Sequence, residues 1–192
     1  MSDDTKEVKV EDWAPTALRE HPKLKSALQV LDTHPKFQID ESVCDEINML
    51  ISVSKEKQKS AENMRLPKRY KTVEDLHLLG GFIAEAQACR DRAIEIKIGH
   101  MPHRRALMLL WEKCVGFLYK FEEIRKCAPA PARDAAINYV LAPLRERIEM
   151  VNNIIEAAGE ADRNLGNTYF TLKELKSIGI AYIEAQNIEK GH

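Results

Sequence analysis

Among the residues able to do chemistry, a repeated glutamate–histidine spacing stands out first. Glu74-Asp75-Leu76-His77 and Glu189-Lys190-Gly191-His192 both read Glu-x-x-His, the spacing that turns both side chains inward in di-iron helical bundles. Such a site needs two copies and two further glutamates at bundle depth. The second copy lies at a terminus expected to fray, so no metal is expected. His100-Met101-Pro102-His103 offers two imidazoles at a predicted turn, but zinc needs one or two more ligands and no second cluster supplies them. These two read as turn and capping histidines. Neither G-x-x-x-x-G-K-[ST] nor G-x-G-x-x-G occurs, so no phosphate-cradling loop is predicted. Serine, cysteine and histidine are too scattered for a triad. Paired carboxylates such as Glu122-Glu123 read as a solvated helical flank. No catalytic residue, metal or cofactor is expected, and the chain reads as a non-enzyme.

The charge that does cluster is positive. Between Lys55 and Lys71 there are seven basic residues (Lys55, Lys57, Lys59, Arg65, Lys68, Arg69, Lys71) against two acidic ones, Glu56 and Glu62. Tyr70 adds a ring on which a base can stack, and such a segment can track a nucleic-acid backbone. The plainer alternative is a solvated, lysine-rich helix end. Arg104-Arg105 stand where a helix start is predicted and oppose its dipole, a local cost that a phosphate, an acidic partner or solubility would offset. These ten residues are the candidate nucleic-acid contacts.

The stretch expected to position them is Thr72 to Cys127, predicted as two long helices joined by a tight turn. Thr72 and Asp75 form a capping box, after which Leu76, Leu79, Ile83 and Ala86 share one helical face, extended by Ile94 and Ile98. Gly80-Gly81 inside that helix predicts close helix approach or a bend. Gly99 is read as its end and Pro102 as the first turn of the next helix. Leu107, Leu110, Cys114, Phe117, Phe121 and Ile124 then follow at alternating spacings of three and four, with Trp111, Val115 and Leu118 widening the stripe.

Upstream, Leu24, Ala27, Leu28 and Leu31 predict a short helix ended at His34-Pro35. Asp40 is the expected cap of a helix carrying Val43, Cys44, Ile47, Leu50 and Ile51. Downstream, Ala128-Pro129-Ala130-Pro131 reads as a stiff linker. Ile137, Leu141, Leu144, Ile148, Val151, Ile155 and Ala158 predict a helix ended at Gly159, with Pro143 either kinking it or breaking and restarting it; the apolar phase runs on across Pro143 and favours the kink. A turn-rich loop over Asp162–Asn167 and a capping box at Thr171 would lead into a last helix over 171–188. The expected organisation is an N-terminal helical region, 1–66, with an acidic tail, two helices and a basic hinge at Pro67. A bundle, 67–192, would follow, built on hairpin 72–127, kinked helix 132–158 and the C-terminal helix. The fold class is all-α: a helical bundle on a long antiparallel helical hairpin, with additional N- and C-terminal helices.

Composition agrees with helices. Of 192 residues, 44% are hydrophobic and 31% charged, with only 8 glycines, a balance that suits a helix-rich surface better than a sandwich or barrel. A net charge of −1 leaves no global field toward nucleic acid or membrane, so any such binding needs a local patch. No apolar run approaches the roughly 20 residues of a membrane span, and no signal-type apolar segment follows Met1. Cys44, Cys89, Cys114 and Cys127 make no C-x-x-C pair, which fits a reducing, cytoplasmic setting.

Two blocks, Leu31-Asp32-Thr33-His34-Pro35-Lys36-Phe37-Gln38-Ile39 and Leu76-His77-Leu78-Leu79-Gly80-Gly81, resemble segments of the small terminase (DNA maturase A) of short-tailed phages, in the same order. They cover less than a tenth of the chain and neither is a catalytic motif. The resemblance implies a non-enzymatic ring protein that engages viral DNA and regulates the packaging ATPase, in the host cytoplasm. It carries over no functional residue. The expected function is an oligomeric helical assembly protein associated with nucleic acid. The alternative is a helical adaptor or inhibitor that binds another protein with no nucleic-acid contact, through the exposed parts of the 73–98 helix face or the Asn164–Phe170 loop.

Overall fold

The structure, a computed structural model, describes residues 15–40, 42–65, 73–127 and 129–190. Every regular element among them is helical. In chain order these are α1 (Pro15–Arg19), α2 (Pro22–Thr33), α3 (Ser42–Arg65), α4 (Val73–Leu118), α5 (Glu122–Lys126), α6 (Ala130–Val140) and α7 (Ala142–Lys190), with one 3-10 turn at Pro35–Phe37 between α2 and α3. Several ends fall where local chemistry puts them. Pro22 opens α2 and His34, the residue before Pro35, ends it in an extended conformation. The Asp40 carboxylate accepts from the Ser42 backbone N–H at 3.0 Å at the start of α3. Thr72 lies outside the described residues, and α4 starts at Val73 with Glu74 and Asp75 in its first turn.

Three predicted breaks are corrected. The hairpin over 72–127 does not form, because α4 runs unbroken for 46 residues through Gly99 and Pro102. A proline inside a helix costs about 3 kcal/mol or more. Here Ala93 and Ile96 before it and Leu107, Cys114 and Leu118 after it are all buried, each large side chain contributing roughly 1.5–3 kcal/mol. The carbonyl deprived of its partner belongs to Ile98, which is 58% exposed, so water can reach it. Gly159 likewise fails to end a helix, and the Asp162–Asn167 loop and the Thr171 helix start are absent: α7 is one helix of 49 residues. Its seam, Val151, Ile154, Ala158, Ala161, Leu165, Leu172 and Leu175, is buried throughout.

At Pro143 the chain breaks and restarts where a kink was expected. Leu141 separates α6 from α7 with φ −98° and ψ 17°, and Pro143 takes the second position of α7, where a missing N–H does no harm. The carbonyl that Pro143 cannot satisfy is that of Tyr139. It accepts instead from Arg19 Nη2 at 3.0 Å. The guanidinium carbon lies 5.6 Å from the Tyr139 ring centroid.

The chain divides into two compact units, each drawing on two separated stretches, with residues up to Ile39 and Met101–Asn152 in the first and Asp40–His100 and Asn153–His192 in the second. The expected hinge at Pro67 lies outside the described residues. In the first unit, Arg19 ties α1 to α6, and Arg147 of α7 pairs with Asp32 of α2 at 3.4 Å. His21, Phe117 and Phe121 form a ring cluster with every centroid pair 5.2 Å apart.

The second unit is a three-helix bundle of α3 and the enclosed parts of α4 and α7. Arg92 meets Glu46, and Lys57 meets Glu85, so α3 and α4 run antiparallel. Gly80 faces Lys176, Arg90 faces Gly166 and Lys97 faces Gly159, so α4 and α7 are antiparallel too. The antiparallel pairing expected within 72–127 is thus made between α4 and α7. Leu79, Ala86, Leu172 and Leu175 form its core, with Leu76, Phe82, Ile83 and Tyr169 packed against them. Gly80 does lie close to α7, as the sequence suggests, whereas a Cβ on Gly81 would meet nothing within 4 Å. Ile98 leaves the predicted seam because the true one passes through Ala93 and Ile96.

Candidate functional site

The predicted contacts do not gather into one site. On α3 a helical step of 100° per residue turns Lys57 toward the core side with Ile47, Leu50 and Ser54. Lys55 and Lys59 face outward and are exposed. Lys57 is engaged within the bundle: its ammonium pairs with Glu85 at 2.8 Å, only 12% of its side chain is exposed, and it lies 4.7 Å from the Phe82 ring centroid. Desolvated between a carboxylate and an aromatic face, it joins α3 to α4 and is not presented to a ligand. Lys68, Arg69, Tyr70 and Lys71 lie outside the described residues, as does the side chain of Arg65. Arg104 and Arg105 are exposed on α4, in the first unit, where Lys55 and Lys59 belong to the second. Because α4 is already several turns old at Arg104, these arginines do not oppose a helix start.

Glu74 and His77 are exposed on the first turns of α4, and Gly191 and His192 lie outside the described residues. Among the described residues no group of three or more histidine, cysteine or acidic side chains could hold a metal ion. His100 and His103 sit mid-helix, not at a turn. The Nδ1 of His100 lies 2.8 Å from the Ile96 carbonyl. Among the described residues no helix is long and apolar enough to cross a membrane.

Sequence reasoning missed a buried polar contact between α3 and α7. Ser54 Oγ and Thr168 Oγ1 lie 3.2 Å apart, both residues are buried, and the Thr168 hydroxyl also donates to the Asn164 carbonyl at 3.1 Å. Each hydroxyl occupies an apolar-seam position, Ser54 after Ile47 and Leu50, Thr168 between Leu165 and Leu172. That interruption was readable once the seams were drawn. Beside it opens a polar groove of about 280 Å³, lined by Lys55, Gln58, Asn164, Asn167 and Thr171 among others. A second groove, about 740 Å³, runs along Lys97, Glu156, Glu160 and Arg163. Next to it the partly buried ion pair Arg90–Asp162, at 2.9 Å, crosses from α4 to α7.

Shifted ionisations follow from local contacts. The Glu46 carboxyl is held below the usual range chiefly by hydrogen bonds from Arg92, and that of Asp40 by bonds from Ser42. Burial raises the thiols of Cys89, Cys114 and Cys127, which makes them poor nucleophiles.

No protein-family model, curated protein or solved structure matches the chain.

Proposed function

We propose that the protein is a non-enzymatic, homo-oligomeric helical assembly protein that works in the cytoplasm in association with nucleic acid. The observation that carries this reading is the outer face of α3. Lys55 and Lys59 lie one turn apart there and are exposed. Two ammoniums about 6 Å apart along a helix axis can neutralise successive phosphates. The basic run to Lys71 continues the same charge along the chain. The small-terminase resemblance adds a specific form, packaging of viral DNA.

The test is fluorescence anisotropy of labelled duplex and single-stranded DNA at several salt concentrations. Phosphate contact makes log K fall linearly with log salt, by about 0.9 for each duplex phosphate neutralised. Lys55→Gln and Lys59→Gln together should lower that slope by about 2. No binding at low salt, or a slope unchanged by the double substitution, overturns the reading.

A second reading, docking of a protein partner, is favoured by Phe170, which is 61% exposed on α7. It stands in the Asn164–Phe170 stretch, which is helical in α7. Binding through that ring would change little with salt and would be lost in Phe170→Ser.

A further inference from the structure

The side of α4 that faces away from the first unit's core carries exposed apolar side chains beside two charges of opposite sign. At 100° per residue, Leu107, Cys114 and Leu118 centre its buried side, and Arg105, Glu112 and Gly116 lie along the opposite line. Met101, Met108 and Leu109 flank that line and are 48%, 38% and 50% exposed. Arg105 and Glu112 are exposed and have no ion-pair partner among the described residues. They stand roughly 10 Å apart along the axis, too far to pair with each other in one helix. A Cβ on Gly116 would meet nothing within 4 Å, so the backbone there is open to a neighbour.

These features complement one another under a two-fold rotation. We propose that this face of α4 docks against the same face of a second copy of the chain, antiparallel, about an axis through the midpoint of Met108 and Leu109. In that register Arg105 of each copy meets Glu112 of the other. Met108 packs against Leu109, and Met101 of each copy fills the open space over Gly116 of the other. Arg104 and Lys113 fall on opposite flanks of the seam, so like charges do not meet. A parallel pair would set arginine against arginine and glutamate against glutamate, which the charges oppose. An isologous interface requires one patch to be complementary to itself, and the order of charge, bulk and gap along this stripe has that property. From Met101 to Gly116 the seam is about 23 Å long, at the small end of specific interfaces, so the dimer belongs to the weak, micromolar class. The inference rests only on the oligomeric part of the proposed function and not on nucleic-acid contact.

The experiment is sedimentation equilibrium of the full chain from about 2 to 200 µM, a range that brackets a micromolar Kd, with circular dichroism to check that each variant is folded. The wild type should pass from monomer to dimer. Arg105→Glu and Glu112→Arg should each weaken the dimer at least about tenfold, and the double reversal should restore it to within about threefold, the signature of a direct pair. A wild type that stays monomeric at every concentration, a dimer that ignores the single reversals, or a double reversal that fails to restore it overturns the seam. DNA titration of the same proteins separates the two ideas. A dimer that binds no nucleic acid leaves the seam standing and sinks the nucleic-acid reading, whereas a monomer that binds DNA does the reverse.

Discussion

Replacing Arg19 with methionine should destabilise the first unit by roughly 1–1.5 kcal/mol, and the loss should depend on a proline far away in sequence. Arg19 Nη2 donates to the Tyr139 carbonyl at 3.0 Å, and the Nε contact to Val140 is long, at 3.5 Å. A hydrogen bond from a charged donor contributes about 1.5–3 kcal/mol. Tyr139 is half exposed, so water takes up part of the loss and about 1 kcal/mol remains for the bond. The cation over the ring at 5.6 Å adds about 0.5 kcal/mol at an exposed site. Methionine keeps the packing of the stem, so the loss measures the head group. The Tyr139 carbonyl lacks its helical donor because Pro143 has no N–H to offer it. In a Pro143→Ala background the helix can supply that N–H, and the cost of Arg19→Met should fall to about 0.5 kcal/mol, a coupling of about 1 kcal/mol. Urea denaturation of the four proteins, followed by circular dichroism and by amide exchange at the end of α6, measures the cycle. A coupling within about 0.3 kcal/mol of zero would refute the idea that Arg19 caps the break that Pro143 makes.

Two smaller effects follow from single positions. Gly81→Ala should stabilise the protein by about 0.5–1 kcal/mol, because α4 gains a better helix former and the new methyl meets nothing within 4 Å. Gly80→Ala should gain less, because its methyl would crowd Lys176 Nζ at 3.3 Å; thermal melts of the two variants, compared with wild type, check the order. The Glu46 carboxylate takes two hydrogen bonds from Arg92, at 2.6 and 3.0 Å, so its folded pKa lies below the ordinary 4.5. A depressed carboxyl stabilises fully above its unfolded value and loses that contribution as pH falls through the folded one. Stability curves of Arg92→Met and wild type should therefore begin to converge as pH falls below 4.5; curves that stay parallel throughout the acid limb would show that the pair does not carry this dependence.

The sequence by itself determined the helical class. Apolar residues three and four apart leave no other way to bury them, and the caps at Asp40 and the stop at His34-Pro35 are local chemistry that tertiary packing did not override. It also located the seam residues Leu107, Cys114 and Leu144. What it could not decide was where long helices end. Gly99, Pro102 and Gly159 carry intrinsic penalties of about 1–3 kcal/mol, which look decisive in isolation and are outweighed once buried side chains flank each breaker on both sides. The stem of Lys97, from another helix, lies over Gly159, a contact invisible in the local sequence. Pro143 went the other way, because an arginine more than a hundred residues upstream was in place to take the carbonyl it frees. The basic run was legible as charge but not as geometry. Only the pairing of α3 with α4 turned Lys57 inward onto Glu85 and Phe82 while leaving Lys55 and Lys59 in water, because a helix face acquires an inside only when another helix covers it.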